Sequence, residues 1–406
     1  MTERFKVLMS AYACEPGKGS EPWAGWNWCV QMADLHDVTV MTRANNRDSI
    51  EAALQGEVHS RPRFLHYDLP GPFIALKKRG ILPTKFYYLL WQVGVAIKHR
   101  KIVPEYDLVH HVTFNSFVLP GFWWLMRAKT VLGPLGGGMV VRSDYLPLFH
   151  RHRWKERLRT LFVRAVVYFP PTYLSLRRAS YVFCANHDTL KRLPSSVRIR
   201  SAVLLDTALD VAREELPKGR PEKKDGALAL WVGSLEPRKG LELALRALAA
   251  VADVRMEIIG TGQERDRLKR LVEELGLGGR IAWRGRLPHR AIRPAMASGD
   301  MFLFTSVRDT SGNVVLEAMS AALPVVAINH QGVAEILDPD CGVLIEPGTL
   351  AETVGGFASA ITRLANDPGL RQRMGANGRN KLATRFSWRK NRDAMDEVYR
   401  KVMEIP

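Results

Sequence analysis

Two successive series of short apolar runs, each run followed by a helix-length or turn segment, constrain the fold of this chain more than any single motif does. The first series reads FKVLMSAYA, DVTVMTR, RFLHYDL, LVHHVTF, TVLGPL, YVFCAN and AVLLDTAL; the second reads ALALWVGSL, RMEIIG, IAWRG, MFLFTS, PVVAIN and GVLI. Such alternation is the pattern of βαβ units and a parallel sheet. Between the series lies ELPKGRPEKKDG, a polar stretch bearing proline and glycine that suits a linker. A length of 406 residues likewise exceeds what one hydrophobic core usually serves. The expected fold class is α/β: two doubly wound, Rossmann-like domains over 1–210 and 227–385, a linker over 211–226 and a last helix over 386–406.

The stretch with the most specific chemistry is 305–328, TSVRDTSGNVVLEAMSAALPVVAI, which sets Asp309 and Glu317 eight residues apart around a glycine turn. The strand MFLFTS runs into Ser306, the turn TSGN follows, and a helix starts near Gly312 with its leftover backbone N–H groups facing the turn. A helix start attracts phosphate. One carboxylate sits in the turn and the other just over one turn into the helix. Both can therefore serve a ligand whose charged centre rests on the helix N-terminus, as in a sugar–diphosphate–nucleoside. Taken without its surroundings, the pair reads equally well as an acidic loop residue and a solvated helical Glu.

With its surroundings, this stretch resembles the retaining glycosyltransferases of family 4 (glycosyl transferases group 1). Their hallmark is Glu, seven residues, Glu, then an alanine-rich helix and a Pro-Val-Val strand. Asp309 stands in place of the first Glu and is shorter by one methylene, about 1.5 Å of reach. The resemblance implies that Asp309 takes the donor sugar and Glu317 the nucleoside ribose. VGSLEPRKG (232–240) ends a strand and opens a helix, which places Arg238 and Lys239 where charge and helix N-terminus can hold a diphosphate. The family usually has an Arg directly after the glycine and a Lys five residues later. Lys239 matches that Lys, but Ser234 stands where the Arg is expected, so either Arg238 substitutes or the site holds its diphosphate with less charge.

The first half adds weaker matches. AYACEPGKGSEPWAGW places Gly17, Gly19 and Ser20 at the first strand-to-helix turn, where relatives have a glycine-rich loop against donor and acceptor; Gly19 is the better match and Glu21 a candidate for an acceptor hydroxyl. A plain tight turn is the alternative. VHHVTF carries His110 and His111, and the family commonly has a strand-end His on the transferred sugar. Adjacent strand residues point to opposite faces, so one ring faces the ligand and the other is a satisfied core histidine; His111 is preferred, with His110 kept as an acceptor candidate. GPLGGG (133–138), including Gly137, suits a second backbone approach to the acceptor, or a hinge.

By resemblance, then, the chain is an enzyme, a retaining hexosyltransferase of GT-B fold whose domains face each other across a cleft and whose last helix crosses back to the N-terminal domain. It moves a sugar from a nucleoside-diphosphate-sugar, its co-substrate, to an acceptor hydroxyl without a metal or other cofactor. Lys239, with Arg238 and the N–H groups near Gly312 and Asn313, stabilises the departing diphosphate. The rivals are a sugar-nucleotide epimerase or phosphorylase on the same architecture, and a catalytically lapsed basic module that binds membrane or nucleic acid. A dinucleotide site is not expected, since Gly260-x-Gly262-x-x-Arg265 lacks the third glycine.

Charge narrows the partners. Residues 1–200 hold 29 basic and 14 acidic residues, the remainder 30 and 27, so the need for positive charge lies in the first half. There, RHRWKERLRTLFVR sets Arg151, Arg153, Lys155, Arg157, Arg159 and Arg164 against one acid, Glu156, with Trp154, Leu158, Leu161 and Phe162 at helical spacing. This pattern fits a basic amphipathic helix on an anionic membrane, or a solvated helix with its apolar stripe turned to the core. At about 1 kcal/mol per basic residue near such a surface, charge alone falls short of the ~8 kcal/mol of micromolar binding, so apolar insertion or a lipid acceptor must add to it. No nucleic-acid motif accompanies the charge. The start MTERFKVLMSAYA lacks a signal-peptide core. The expected location is cytoplasmic, or peripheral on the inner membrane face, in a polysaccharide or glycolipid pathway with a lipid-linked acceptor. Residues 108–126 lack Lys, Arg, Asp and Glu, yet their histidines and Pro120-Gly121 break fit strand, loop and helix rather than a membrane span. Cys14, Cys29, Cys184 and Cys341 form no Cys-x-x-Cys pair and are expected to be reduced structural thiols.

Overall fold

The computed structural model describes residues 3–19, 21–56, 60–114, 116–210 and 226–404. All of the expected linker but Gly226 lies outside these residues. The chain divides into two compact units, one comprising Met1–Gly138, Val163–Thr207 and Trp388–Pro406, the other Met139–Phe162 and Ala208–Ser387.

Each unit is built on one parallel sheet. The first contains β1 (Lys6–Ser10), β2 (Asp37–Thr42), β3 (Arg63–His66), β4 (Leu108–His111), β5 (Lys129–Leu135), β6 (Tyr181–Cys184) and β7 (Ser201–Val203). Their order is β3-β2-β1-β4-β5-β6-β7. The second contains β8 (Ala227–Val232), β9 (Val254–Ile259), β10 (Ile281–Gly285), β11 (Met301–Phe304), β12 (Val325–Ile328) and β13 (Gly342–Ile345). Here the order is β10-β9-β8-β11-β12-β13. In both, the chain winds outward from the first strand and then returns to its other side. The switch points therefore lie between β1 and β4, where Leu8 pairs with Val109, and between β8 and β11, where Ala229 pairs with Met301. Ligands of doubly wound sheets gather beyond the C-terminal strand ends at such points. The central strands carry buried apolar runs, as expected of parallel strands covered on both faces: Val7, Leu8 and Met9 in β1, and all of β11, are buried.

Two placements depart from simple halves. Residues 139–162, expected in a domain of 1–210, belong to the second unit. Val141, Tyr145, Leu148 and Phe149 bury in its core, and the Tyr145 hydroxyl lies 3.1 Å from Thr353 Oγ1. The helix Trp388–Glu404 belongs to the first unit. Its Trp388 packs edge-on against Trp28, and Asn391 Nδ2 donates to the carbonyls of Leu205 and Thr207. The described residues of the charge-free run 108–126 include β4 and a single turn at Trp123–Leu125. Among the described residues no helix is long and apolar enough to cross a membrane.

Candidate functional site

At the switch point of the second unit, two loops are locked side by side. After β8 the chain makes a turn of 3-10 helix, Pro237–Lys239, and enters the helix Leu241–Ala249 through Gly240 at φ +66°. A Cβ at Gly240 would stand 2.2 Å from the Thr305 carbonyl oxygen, so only glycine lets this turn close on the end of β11. Thr305 Oγ1 donates to the Lys239 carbonyl at 2.9 Å and accepts from Trp231 Nε1 at 3.0 Å, while Val307 N donates to the Arg238 carbonyl at 2.9 Å. The result is a fixed platform under Lys239.

Lys239 Nζ bonds to Asp309 Oδ2. The Asp309 carboxylate also accepts from Ser306 Oγ at 3.2 Å and from the Thr310 N–H at 3.0 Å, and its own backbone N–H donates to Gln331 Oε1 at 2.8 Å. Burial pushes this carboxyl up, but Lys239, Arg238 and Ser306 outweigh burial and hold it below the usual carboxylate value. Both partners remain reachable, with 17% and 19% of their side chains exposed. Next comes Gly312 at φ +67°, heading the helix Asn313–Ser320, with the N–H groups of Asn313 and Val314 left over by helix geometry. Glu317 is half-buried one turn in, and its Oε1 meets His289 Nε2 at 3.1 Å. That contact raises His289 above its ordinary value. His289 opens the helix His289–Ala297; it was not among the sequence candidates, and the only local signal was a polar side chain at a helix start beyond β10. Arg238 does not join Lys239 on Asp309: its Nε bonds to Glu236 at 2.7 Å, and it lines an open pocket of about 270 Å³ with Lys155, Glu156 and Arg308. Ser234 is half-buried in the same loop.

In the first unit, both histidines at the end of β4 are buried, whereas one was expected to face ligand. His110 Nε2 lies 2.8 Å from the Gly133 carbonyl, to which it must donate, so Nδ1 accepts from the Tyr399 hydroxyl at 2.6 Å. His111 lies 2.8 Å from the Tyr88 hydroxyl through Nε2 and 3.2 Å from Ser10 Oγ through Nδ1. Burial lowers His110 to about 4, the Gly133 carbonyl opposing it. Burial, with His110 beside it, lowers His111 to about 3. Both rings are neutral near pH 7. Glu21, the first residue of its helix, accepts the Phe114 N–H at 2.5 Å and so holds Phe114 at φ 59° in the loop after β4. Gly19 is half-buried beyond the exposed Gly17 turn. Gly137, at φ +90°, is used for internal packing, since a Cβ there would stand 2.8 Å from Ser116 Oγ.

The basic helix Arg153–Ala165 settles its own orientation. Trp154, Leu158, Leu161 and Phe162 are 55%, 55%, 60% and 55% exposed, so the apolar stripe faces solvent rather than the core. Its inward side carries Val163 and Glu156, whose carboxylate pairs with Arg159 and Arg308, each at 3.2 Å. Burying the single acid leaves the outer surface apolar and basic.

Among the described residues no group of three or more His, Cys, Asp or Glu could hold a metal ion. The sequence contains one Asp-x-Asp, Asp338-Pro339-Asp340, but Asp338 pairs with Lys381 and accepts the Asp340 N–H, closing a turn. All four cysteines are buried and free.

Residues 212–381 match the family model described as Glycosyl transferases group 1. The second unit therefore carries a domain of that kind. The chain is 31% identical over 193 residues to the lipopolysaccharide core biosynthesis glycosyltransferase LpsE of Rhizobium meliloti (strain 1021), covering 47% of this chain and 52% of that protein. It is 29% identical over 202 residues to the alpha-D-kanosaminyltransferase of Streptomyces kanamyceticus, covering 48% and 51%. The chain thus spans about half the length of these curated relatives. Among solved structures, Anabaena Alr3699/HepE in complex with UDP and glucose matches with a TM-score of 0.63 at 18% identity, over 98% of this chain and 100% of that one. WaaG, a glycosyltransferase involved in lipopolysaccharide biosynthesis, matches with a TM-score of 0.59 at 18% identity, over 97% and 99%. Likeness at these identities shows the fold, the paired Rossmann-like sheets of GT-B glycosyltransferases.

Proposed function

We propose that this protein is a metal-independent retaining glycosyltransferase that moves a sugar from a nucleoside-diphosphate-sugar to the hydroxyl of a lipid-linked or cell-surface glycan intermediate, working at an anionic membrane face. The observation that carries this reading is the Lys239–Asp309 pair beside the N-terminus of Asn313–Ser320, with Glu317 one turn further in. It supplies, in order, a cation and helix N–H groups for a diphosphate, a carboxylate for sugar hydroxyls and a carboxylate for a ribose.

In the reaction, the bond from the sugar's anomeric carbon to the diphosphate oxygen breaks and a bond to the acceptor oxygen forms on the same face. The acceptor proton passes to the departing phosphate oxygen. Lys239 and the N–H groups of Asn313 and Val314 stabilise the charge that develops there. Placement of the sugar falls to Asp309, and of the nucleoside to Glu317. The outward apolar stripe of Arg153–Ala165, edged with basic residues, supports the membrane part of the reading. That LpsE and WaaG are named for lipopolysaccharide biosynthesis supports a glycan acceptor.

Thermal stabilisation by UDP, GDP, ADP and their sugar conjugates tests the donor site, because a ligand that binds only the folded state raises the melting temperature. UDP is the first choice, since the HepE structure holds it. A shift with one nucleotide, lost in Lys239→Ala, is the expected result. No shift with any nucleotide at millimolar concentration would overturn the reading. With a donor in hand, Lys239→Ala should lower turnover by roughly 10²–10³-fold, as removal of one stabilising donor does in other sites. Unchanged turnover in a folded variant would remove Lys239 from the chemistry.

A further inference from the structure

A second concentration of positive charge lies in the first unit, beyond the C-terminal ends of β1, β2 and β3, where a doubly wound sheet receives its ligand. Arg43 follows β2, Tyr12 follows β1, and Lys77 and Tyr87 come from the helices Gly71–Lys78 and Thr84–Lys98. The Arg43 guanidinium stands 5.1 Å from the ring centre of Tyr12 and 5.7 Å from that of Tyr87; the Lys77 ammonium stands 5.6 Å and 4.4 Å from the same two rings. Two cations are thus held over one pair of buried tyrosines. Only one carboxylate serves them. Asp68 pairs with Arg43 at 3.3 Å and is shared with the Tyr87 hydroxyl at 3.0 Å and the Ala44 N–H at 3.1 Å. Lys77 has no carboxylate partner among the described residues, and its Nζ donates to the Tyr12 hydroxyl at 3.1 Å. Burial and the neighbouring Arg43 lower Lys77 from its ordinary value, outweighing the opposite pull of Asp68.

The hairpin that carries Lys77 is also short of apolar cover. The helix Gly71–Lys78 buries none of its residues. Phe73, Leu76, Ile81 and Phe86 on the hairpin are 39%, 37%, 65% and 52% exposed. From residue 69 to residue 104 the chain has no Asp or Glu and seven Lys or Arg. An exposed apolar patch beside an underpaired, half-buried pair of cations fits one amphiphile, anionic at its head and hydrocarbon behind.

We propose that Arg43 and Lys77 bind the phosphate of a phosphate-bearing lipid acceptor whose hydrocarbon lies on the exposed apolar side chains of the 71–86 hairpin. The inference deepens the proposed function by naming the acceptor class. It explains why two cations are fixed on aromatic rings with a single carboxylate between them. The phosphate completes the charge balance, and the hairpin supplies the contact that a soluble sugar phosphate would leave unused.

The test titrates the full chain with three probes and reads each by calorimetry: dodecyl phosphate, inorganic phosphate and dodecyl maltoside. Dodecyl phosphate should bind tightest. Lys77→Met should weaken it about tenfold or more, the loss of one hydrogen bond to a charged group, and Lys77→Arg should restore it. Ile81→Ser should weaken dodecyl phosphate and leave inorganic phosphate unchanged. Equal affinity for inorganic phosphate would make this a free-phosphate site and overturn the lipid assignment. Equal affinity for dodecyl maltoside, or unaltered binding in Lys77→Met, would overturn the phosphate assignment. The nucleotide-induced melting shift on the same samples keeps the two readings apart: its absence with dodecyl phosphate binding intact removes the donor site alone, and the reverse removes this one.

Discussion

Replacing Leu158 and Leu161 together by Gln should detach the protein from anionic vesicles while leaving its fold alone. The two side chains are 55% and 60% exposed, so little core packing is lost, and Gln keeps the helix propensity close to that of Leu. Complete burial of one Leu is worth about 1.5–3 kcal/mol. With somewhat over half of each side chain free to enter an interface, each contributes about 1 kcal/mol and the pair about 2 kcal/mol, a roughly thirtyfold weaker vesicle affinity. The electrostatic part should survive, because Glu156 is already turned inward and paired, leaving the basic residues unopposed on the outer side. Co-sedimentation with vesicles of phosphatidylcholine, with and without phosphatidylglycerol, measures both terms when repeated at raised salt. Folding stability should change by no more than about 0.5 kcal/mol. A double variant that sediments like the parent, or a parent that binds neutral and anionic vesicles equally, refutes the membrane role of this helix.

Three other substitutions or conditions have defined outcomes. Gly240→Ala puts a Cβ 2.2 Å from the Thr305 carbonyl at φ +66°, so it should cost about 2 kcal/mol or more, by strain and displacement; an unchanged urea midpoint would contradict the packing of the Lys239 turn. His289, raised by Glu317, gains its proton as pH falls through a value above its ordinary 6.5 and then holds the Glu317 carboxylate against a ribose. Nucleotide affinity should therefore weaken toward acid pH in the parent and not in His289→Ala; parallel pH profiles would refute this competition. His110 and His111, lowered to about 4 and about 3, stay neutral in the fold while an unfolded imidazole takes a proton near pH 6.5. Stability is then full above that pH and lost as pH falls below it. A urea midpoint that does not move between about pH 7 and about pH 5 would contradict their burial.

Much of this architecture was legible in the residue pattern because buried parallel strands announce themselves as apolar runs, and each of the thirteen strands among the described residues overlaps such a run. The Lys239 turn and the helix start at Gly312 were also legible, since both are local chain events marked by glycine. Side-chain destinations were not. Nothing local in the sequence says in which unit Val141, Tyr145 and Phe149 are buried, since that choice depends on partners such as Thr353, more than two hundred residues away. Likewise, alternation along β4 requires its two histidines to point apart, yet both faces of that strand are covered, so neither ring is exposed. The pairing of His289 with Glu317 joins two helices whose contact has no local sequence signal.

The bond between Lys239 and Asp309 pairs the two charges of the candidate donor site with each other. On the proposed function, a nucleoside diphosphate that recruits Lys239 takes from Asp309 its counter-ion and leaves a half-buried carboxylate with Ser306 Oγ and the Thr310 N–H as donors. A sugar nucleotide meets both needs at once, its phosphate taking the cation while its hydroxyls take the carboxylate. The intact donor therefore exchanges one satisfied state for another, whereas the spent nucleotide holds the lysine against the pull of its former partner. In the proposed function Asp309 would then act as a returning spring, favouring loading by the complete substrate and hastening departure of what remains after transfer.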